Sequence, residues 1–331
     1  MKRIVVLLVF TFAELFGQIS WTRVHPKLQD QIQDVVAINS QIVVAVGSNG
    51  GLFSTSNGGT TWNTAGAASN SNYYDVDFAG GFLCAVGTHG TVAVSRDSAN
   101  SWTILNDATI VGDMMAVDFI NSADGWIGGQ NGVIYHTTNQ GTTWSVQNPA
   151  TLSSAAFIRD IYFVNASKGF VAGTNGTYGY TTDGGATWNI SEASVNFQGK
   201  IFFDIEFTDV SNGWMLGTSD AIRSTDGGSN WNVTGLPTVA FGGIMYDMDL
   251  AAANTWFISG ENGIVAKTTD AGGNWTYTTV GNGSFNLYGC SFANADTGWV
   301  VGDGGVIYKT TDGGTNWTSQ IATVTREYLN G

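Results

Sequence analysis

The sequence is short of most groups that carry out chemistry. In 331 residues it has two cysteines, Cys84 and Cys290, and three histidines, His25, His89 and His136. The cysteines fall in different repeats of the pattern below, at different strand positions, so they read as small buried apolar residues and not as a disulfide. The histidines lack metal-ligand spacing, and no metal or other cofactor is expected. Charge is scarce too: charged residues make up 11%, with 12 basic against 26 acidic side chains and a formal net charge of −14. An acidic surface repels phosphate backbones and anionic lipid, which argues against nucleic acid and membrane surfaces as partners. No G-x-S-x-G elbow or phosphate-binding loop occurs. Amphipathic helical spacing is scarce, and no apolar run is long enough to span a bilayer.

What is present is 43% hydrophobic residues and 45 Gly, with abundant Ser, Thr and Asn. That composition suits an all-β protein with many tight turns. Lys2 and Arg3 precede an apolar run from Ile4 to Ala13. This start reads as a signal peptide over residues 1–17, so the remaining chain, 18–331, is expected to be a single secreted, periplasmic or cell-surface domain.

Self-similarity sets the architecture. The segments TSNGGTTW, SRDSANSW, TTNQGTTW, TTDGGATW, STDGGSNW, TTDAGGNW and TTDGGTNW end at Trp62, Trp102, Trp144, Trp188, Trp231, Trp275 and Trp317. The spacings are 40, 42, 44, 43, 44 and 42 residues. Each segment has the form of an Asp box, with Asn57, Asp97, Asn139, Asp183, Asp226, Asp270 or Asp312 as its Asp or Asn; Ala99 replaces glycine in the second. Such side chains are expected to accept backbone N–H groups two residues on, while glycine supplies positive φ and Trp packs at the start of the next strand. Four short strands, A to D, precede and follow each box, with the box in the C–D turn. A four-stranded unit repeated at this period predicts a seven-bladed β-propeller of antiparallel blades.

The ends of the chain carry extra strand-like pieces. Trp21 in ISWTRV stands 41 residues before Trp62, as a spare strand D able to close the ring. Leu329 follows Trp317 by twelve residues, as Leu287 follows Trp275. The tail therefore reads as a closing strand or, preferably, as the start of a further repeat.

The motifs GW-x-x-G, G-[VI]-[IV]-Y-x-T-T-D-G-G and x-N-W, fullest in TGWVVGDGGVIYKTTDGGTNW at 297–317, resemble the BNR/Asp-box propellers. The chain is most similar to those grouped with the photosystem II stability/assembly-factor-like repeat proteins. The resemblance implies the fold over nearly the whole chain and leaves function open, because sialidases and xyloglucan-degrading glycosidases share the repeat.

In a meander, the D–A and B–C connections share the face opposite the boxes. The D–A loops are the longest and most variable, so binding is expected there. Tyr73, Tyr74, Met114, Phe157, Phe197, Phe241 and Tyr246 are the candidate aromatic or apolar rim, with Arg159 the one arginine entering a strand A. Asp34, Asp75, Asp160, Asp204 and Asp247 stand at the start of strand A in five repeats, and Asp77, Asp118, Glu206 and Asp249 follow two residues on, on the same side. Recurrence in so many blades favours a repeated structural hydrogen bond over cation binding or catalysis, and no residue is assigned as catalytic. A sialidase needs converging arginines; Arg23, Arg96, Arg159, Arg223 and Arg326 do not converge, which excludes that activity. The expected function is a monomeric, non-enzymatic propeller presenting its loop face to a protein or glycan. The alternative is a glycoside hydrolase of the xyloglucanase-like class, which the resemblance implies would use paired carboxylates.

Overall fold

In the computed structural model, residues 30–64, 70–105, 107–147, 156–191, 197–218, 221–233 and 243–320 are described. The signal peptide, Trp21, Arg23, His25, Phe241, Arg326 and Leu329 lie outside them. Seven four-stranded sheets follow one another, each made of strands consecutive in the chain. The first contains β1 (Ile32–Ala37), β2 (Val43–Gly47), β3 (Gly51–Thr55) and β4 (Asn63–Thr64). The later innermost strands are β5 (Tyr73–Ala79), β9 (Met114–Phe119), β13 (Ile158–Phe163), β17 (Phe202–Phe207), β21 (Met245–Ala252) and β25 (Leu287–Phe292). These strands contact one another in sequence around a ring, and β25 returns to β1. The protein is a seven-bladed propeller, and its last blade uses its own outer strand, β28 (Thr318–Ser319).

The core is a set of wedges between blades. Second strands such as Val43–Gly47 are buried at every position because a neighbouring blade covers each face, which is why they read as continuous apolar runs. Val44, Val46 and Leu52 of blade 1 pack on Tyr73 and Val76 of blade 2. The phenylalanine near the end of an innermost strand is held between two rings. Phe163 stacks on Trp126 of the preceding blade at 3.5 Å and meets the box residue Trp188 of its own blade edge-on at 5.9 Å. Phe292 does the same with Phe257 and Trp317. Cys84 and Cys290 are buried free thiols.

All seven boxes share one hydrogen-bond pattern, seen in the first. The Thr55 hydroxyl accepts from the backbone N–H groups of Asn57 and Gly59, at 3.3 and 2.9 Å. The Asn57 carboxamide oxygen accepts from Thr61 N at 2.9 Å. The Asp or Asn therefore reaches four residues on, and the hydroxyl takes the N–H expected for it, because a hydroxyl on the strand's last residue is closer to the turn amides.

The boxes also receive the preceding blade. The carbonyl one residue after the box Asp or Asn accepts from Arg96 (to Gln140), Trp126 (to Gly184), Lys168 (to Gly227), Lys267 (to Gly313) and Lys309 (to Gly58). The last of these, at 2.8 Å, joins blade 7 to blade 1.

One further feature places the site. Every innermost strand has a register shift near its start, for example between Ile32 and Asp34 or Tyr73 and Asp75. Such a bulge turns two consecutive side chains to the same side. The glycine that closes the second strand accommodates it: a Cβ on Gly87 would lie 2.0 Å from the Asn72 carbonyl oxygen.

Candidate binding site at the channel mouth

The bulges send two neighbouring residues of each innermost strand into the central channel, and alternation adds a third two positions later. The second strand position supplies Gln33, Tyr74, Met115, Arg159, Phe203, Tyr246 and Tyr288, which line an open mouth of about 310 Å³. Beneath it the third position supplies Asp34, Asp75, Asp160, Asp204 and Asp247, with Ala116 and Gly289 in the remaining blades. A deeper tier holds Asp77, Asp118, Glu206 and Asp249 around a space of about 200 Å³.

Each tier ties blade to blade. In the upper tier, the carboxylates of Asp34, Asp75, Asp160, Asp204 and Asp247 accept from Val76, Val117, Ile205, Met248 and Cys290 N at 2.5–3.0 Å, always in the next blade. In the lower tier, Asp77, Asp118 and Asp249 accept from Phe119, Phe163 and Phe292 N at 2.7–2.8 Å. Where Ala116 cannot serve Ile161, Asp160 accepts from that N–H with its other oxygen at 2.8 Å. The Ser291 hydroxyl accepts from Ala37 N at 3.0 Å across the seam between the last and first blades.

Burial in the channel, and for most of them the neighbouring carboxylates, raises the pKa values of these acids. Burial, with the Asp247 charge behind it, pushes Asp34 up to about 7. Burial pushes Asp77 up to about 6, Asp249 to about 7 and Asp247 to about 8. Asp75, Asp118, Asp204 and Glu206 rise well above the usual range, from burial first and neighbouring carboxylates second. The contact between Asp34 and Asp75 adds to the rise of Asp75, and that between Asp160 and Asp204 adds to the rise of Asp204.

The mouth itself is aromatic on one side. Phe203 and Tyr246 have ring centroids 5.3 Å apart, and Tyr246 and Tyr288 4.9 Å apart. Arg159 lays its guanidinium 5.1 Å from the Phe203 centroid and donates to the Met115 sulfur at 3.7 Å. Burial, with Glu261 next, pushes the Tyr246 hydroxyl up to about 12.

Of the sequence candidates, the five aspartates, Tyr74, Arg159 and Tyr246 come together here. Tyr73 does not: it is fully buried, because the residue before the bulge points into the wedge between blades. Met114 and Phe197 are likewise buried. Phe203, Tyr288 and Met115 were not singled out by sequence, although they stand at the strand position of Tyr74 and Tyr246. Among the described residues no group of His, Cys, Asp or Glu is arranged to hold a metal ion, and no helix is long and apolar enough to cross a membrane.

A family model for the Photosynthesis system II assembly factor YCF48 matches residues 67–151 and 192–283, just over half of the chain. The chain belongs to this YCF48 family. A solved structure of YCF48 bound to D1 peptide is 19% identical with a TM-score of 0.70, covering 88% of this chain and 95% of that one. YCF48 from Cyanidioschyzon merolae is 17% identical with a TM-score of 0.68, covering 87% and 97%. The GH74 xyloglucanase from Xanthomonas campestris is 12% identical with a TM-score of 0.70, covering 90% of this chain and 55% of its own. At these identities the likeness shows the fold alone, and the chain spans about half the length of that glycosidase. No curated protein matches the chain. The family assignment and the propeller fold agree with the assembly-factor resemblance read from the motifs.

Proposed function

We propose that this protein is a secreted, non-enzymatic scaffold that takes up a peptide segment of a protein partner at its channel mouth. The observation that carries the reading is the use made of the carboxylates. Eight of the nine channel acids, all but Glu206, accept a backbone N–H of the adjoining blade at 2.5–3.0 Å. A glycosidase needs one asymmetric pair with a free general acid; a repeated ring committed to the backbone suits a scaffold. The mouth above the ring offers aromatic faces and an arginine without any such structural duty. That YCF48 has been solved with a peptide bound supports a protein partner for this relative. Export is supported by Lys2, Arg3 and the apolar run that follows.

The test is a peptide array probed with the mature chain, beside a reducing-end assay on a panel of glucans. We expect peptide binding that Tyr246→Ala abolishes, with no sugar released. Glucan cleavage lost on replacing one channel aspartate by asparagine would overturn the scaffold and establish the hydrolase. Fractionation of the producing cell, with sequencing of the mature N-terminus, tests export; an uncleaved chain retained in the cytoplasm would refute it.

A further inference from the structure

The mouth cavity has a wall and a floor of complementary chemistry. Phe203, Tyr246 and Tyr288, from three consecutive blades, form a continuous wall with centroids 5.3 and 4.9 Å apart. All three are half-buried, so part of each ring remains open to the cavity. A face-open aromatic ring attracts a cation through its quadrupole, and more strongly where water is partly excluded.

The protein already uses this wall in that way. The guanidinium of Arg159 lies 5.1 Å from the centroid of Phe203. Its only hydrogen-bond acceptor among the described residues is the Met115 sulfur, at 3.7 Å, and it forms no ion pair there. Arg159 is thus a cation held chiefly by an aromatic face. Among the described residues, no other cation lies over the rings of Tyr246 and Tyr288, the rest of the wall.

We propose that the mouth selects a cationic peptide segment, with a Lys or Arg side chain of the partner lying on the Tyr246–Tyr288 part of the wall. This rests on the peptide-binding reading above and names the chemistry of the peptide. Three observations support the choice of charge. The wall suits a cation and already holds one. The floor is a ring of aspartates facing a single arginine. The chain as a whole carries 26 acidic against 12 basic residues, which draws a cationic segment toward it. A mouth of about 310 Å³ admits one or two side chains with their backbone and excludes a folded domain.

The experiment is calorimetric titration of the mature protein with capped Gly-Ser peptides carrying Lys, Glu or Gln at the same positions. The Lys peptide is expected to bind about tenfold or more tightly than the Gln peptide, with affinity falling as salt rises. Tyr246→Ala should weaken it about tenfold while Tyr246→Phe leaves it nearly unchanged, since the ring and not the hydroxyl makes the contact. Arg159→Gln is the sharpest arm: removing a competing charge should tighten the Lys peptide several-fold. Circular dichroism on each variant checks that the propeller is folded. A preference for the Glu peptide, or weaker Lys-peptide binding by Arg159→Gln, would mean that Arg159 reads an acceptor and would overturn this inference while leaving peptide binding in place. No binding by any of the peptides, or binding that ignores Tyr246→Ala, would overturn both.

Discussion

Ala99 occupies the position where the other six boxes have glycine, and it does so at φ +66°. A Cβ in the left-handed region costs about 1–2 kcal/mol, whereas glycine visits that region freely. Ala99 is also buried, so glycine would lose one packed methyl and gain chain entropy in the unfolded state. Ala99→Gly is expected to stabilise the protein by a net of about 0.5–1 kcal/mol. Urea unfolding monitored by tryptophan fluorescence would measure it, and a loss of stability would show that the methyl's packing outweighs the backbone strain. The box aspartates belong to the same scale. Each sits in solvent with hydrogen bonds to the turn, and those bonds hold Asp97, Asp183, Asp226 and Asp312 below the usual carboxylate range and Asp270 at about 2.

The decisive element is the bulged innermost strand. Gly87 closes strand β6 (Phe82–Gly87) opposite Tyr73, where β5 begins, and its missing side chain leaves room for the Asn72 carbonyl. Gly87→Ala would push that strand off its register and is expected to cost about 3 kcal/mol or more. It should also weaken any ligand held at the mouth, because Tyr74 and Asp75 take their direction from the bulge. Thermal unfolding together with peptide titration would test both effects, and a variant of normal stability would show that the bulge tolerates a Cβ. A second element-level device is the cation reaching into the next blade's box. Lys309, 5.0 Å above the Trp299 ring, donates to the Gly58 carbonyl and so helps close the ring. Lys309→Met keeps the packed stem and removes the charged donor; an expected loss of about 1–2 kcal/mol follows from a partly buried charge-assisted bond. Equal unfolding curves for the two proteins would show that β25 and β1 close the ring without it.

For the whole molecule, two populations of carboxyl groups set opposite pH limits. Channel acids with folded pKa values of about 6 to 8 hold their full stabilising contribution below about pH 4 and lose it as pH rises through those values. Box aspartates with depressed values hold theirs above about pH 4 and lose it as pH falls toward 2. The melting temperature is therefore expected to peak near pH 4–5 and to decline toward pH 8. Asp75→Asn keeps an acceptor for Val117 N but removes one charge beside Asp34, so it should flatten the alkaline decline. Calorimetry across that range would test this; stability that climbs steadily to pH 8 would refute it.

The sequence by itself determined the blade count, the order of strands within each blade and the place of every box, because these are local: a turn needs its hydroxyl, its Asp or Asn and its glycine within eight residues. It also placed the five strand-A aspartates in register, since a repeat period carries a position from blade to blade. Two things required the assembled ring. One was the bonding partner of each acid, an N–H some 42–45 residues away in the next blade, which no local pattern specifies. The other was the mouth. Tyr73 and Tyr74 are equivalent as letters in a loop-like stretch, yet a bulge of one residue buries the first between blades and turns the second into the channel. Phe203 and Tyr288 join Tyr246 in one wall for the same reason: side chains distant in sequence converge only when seven bulged strands close around a common axis.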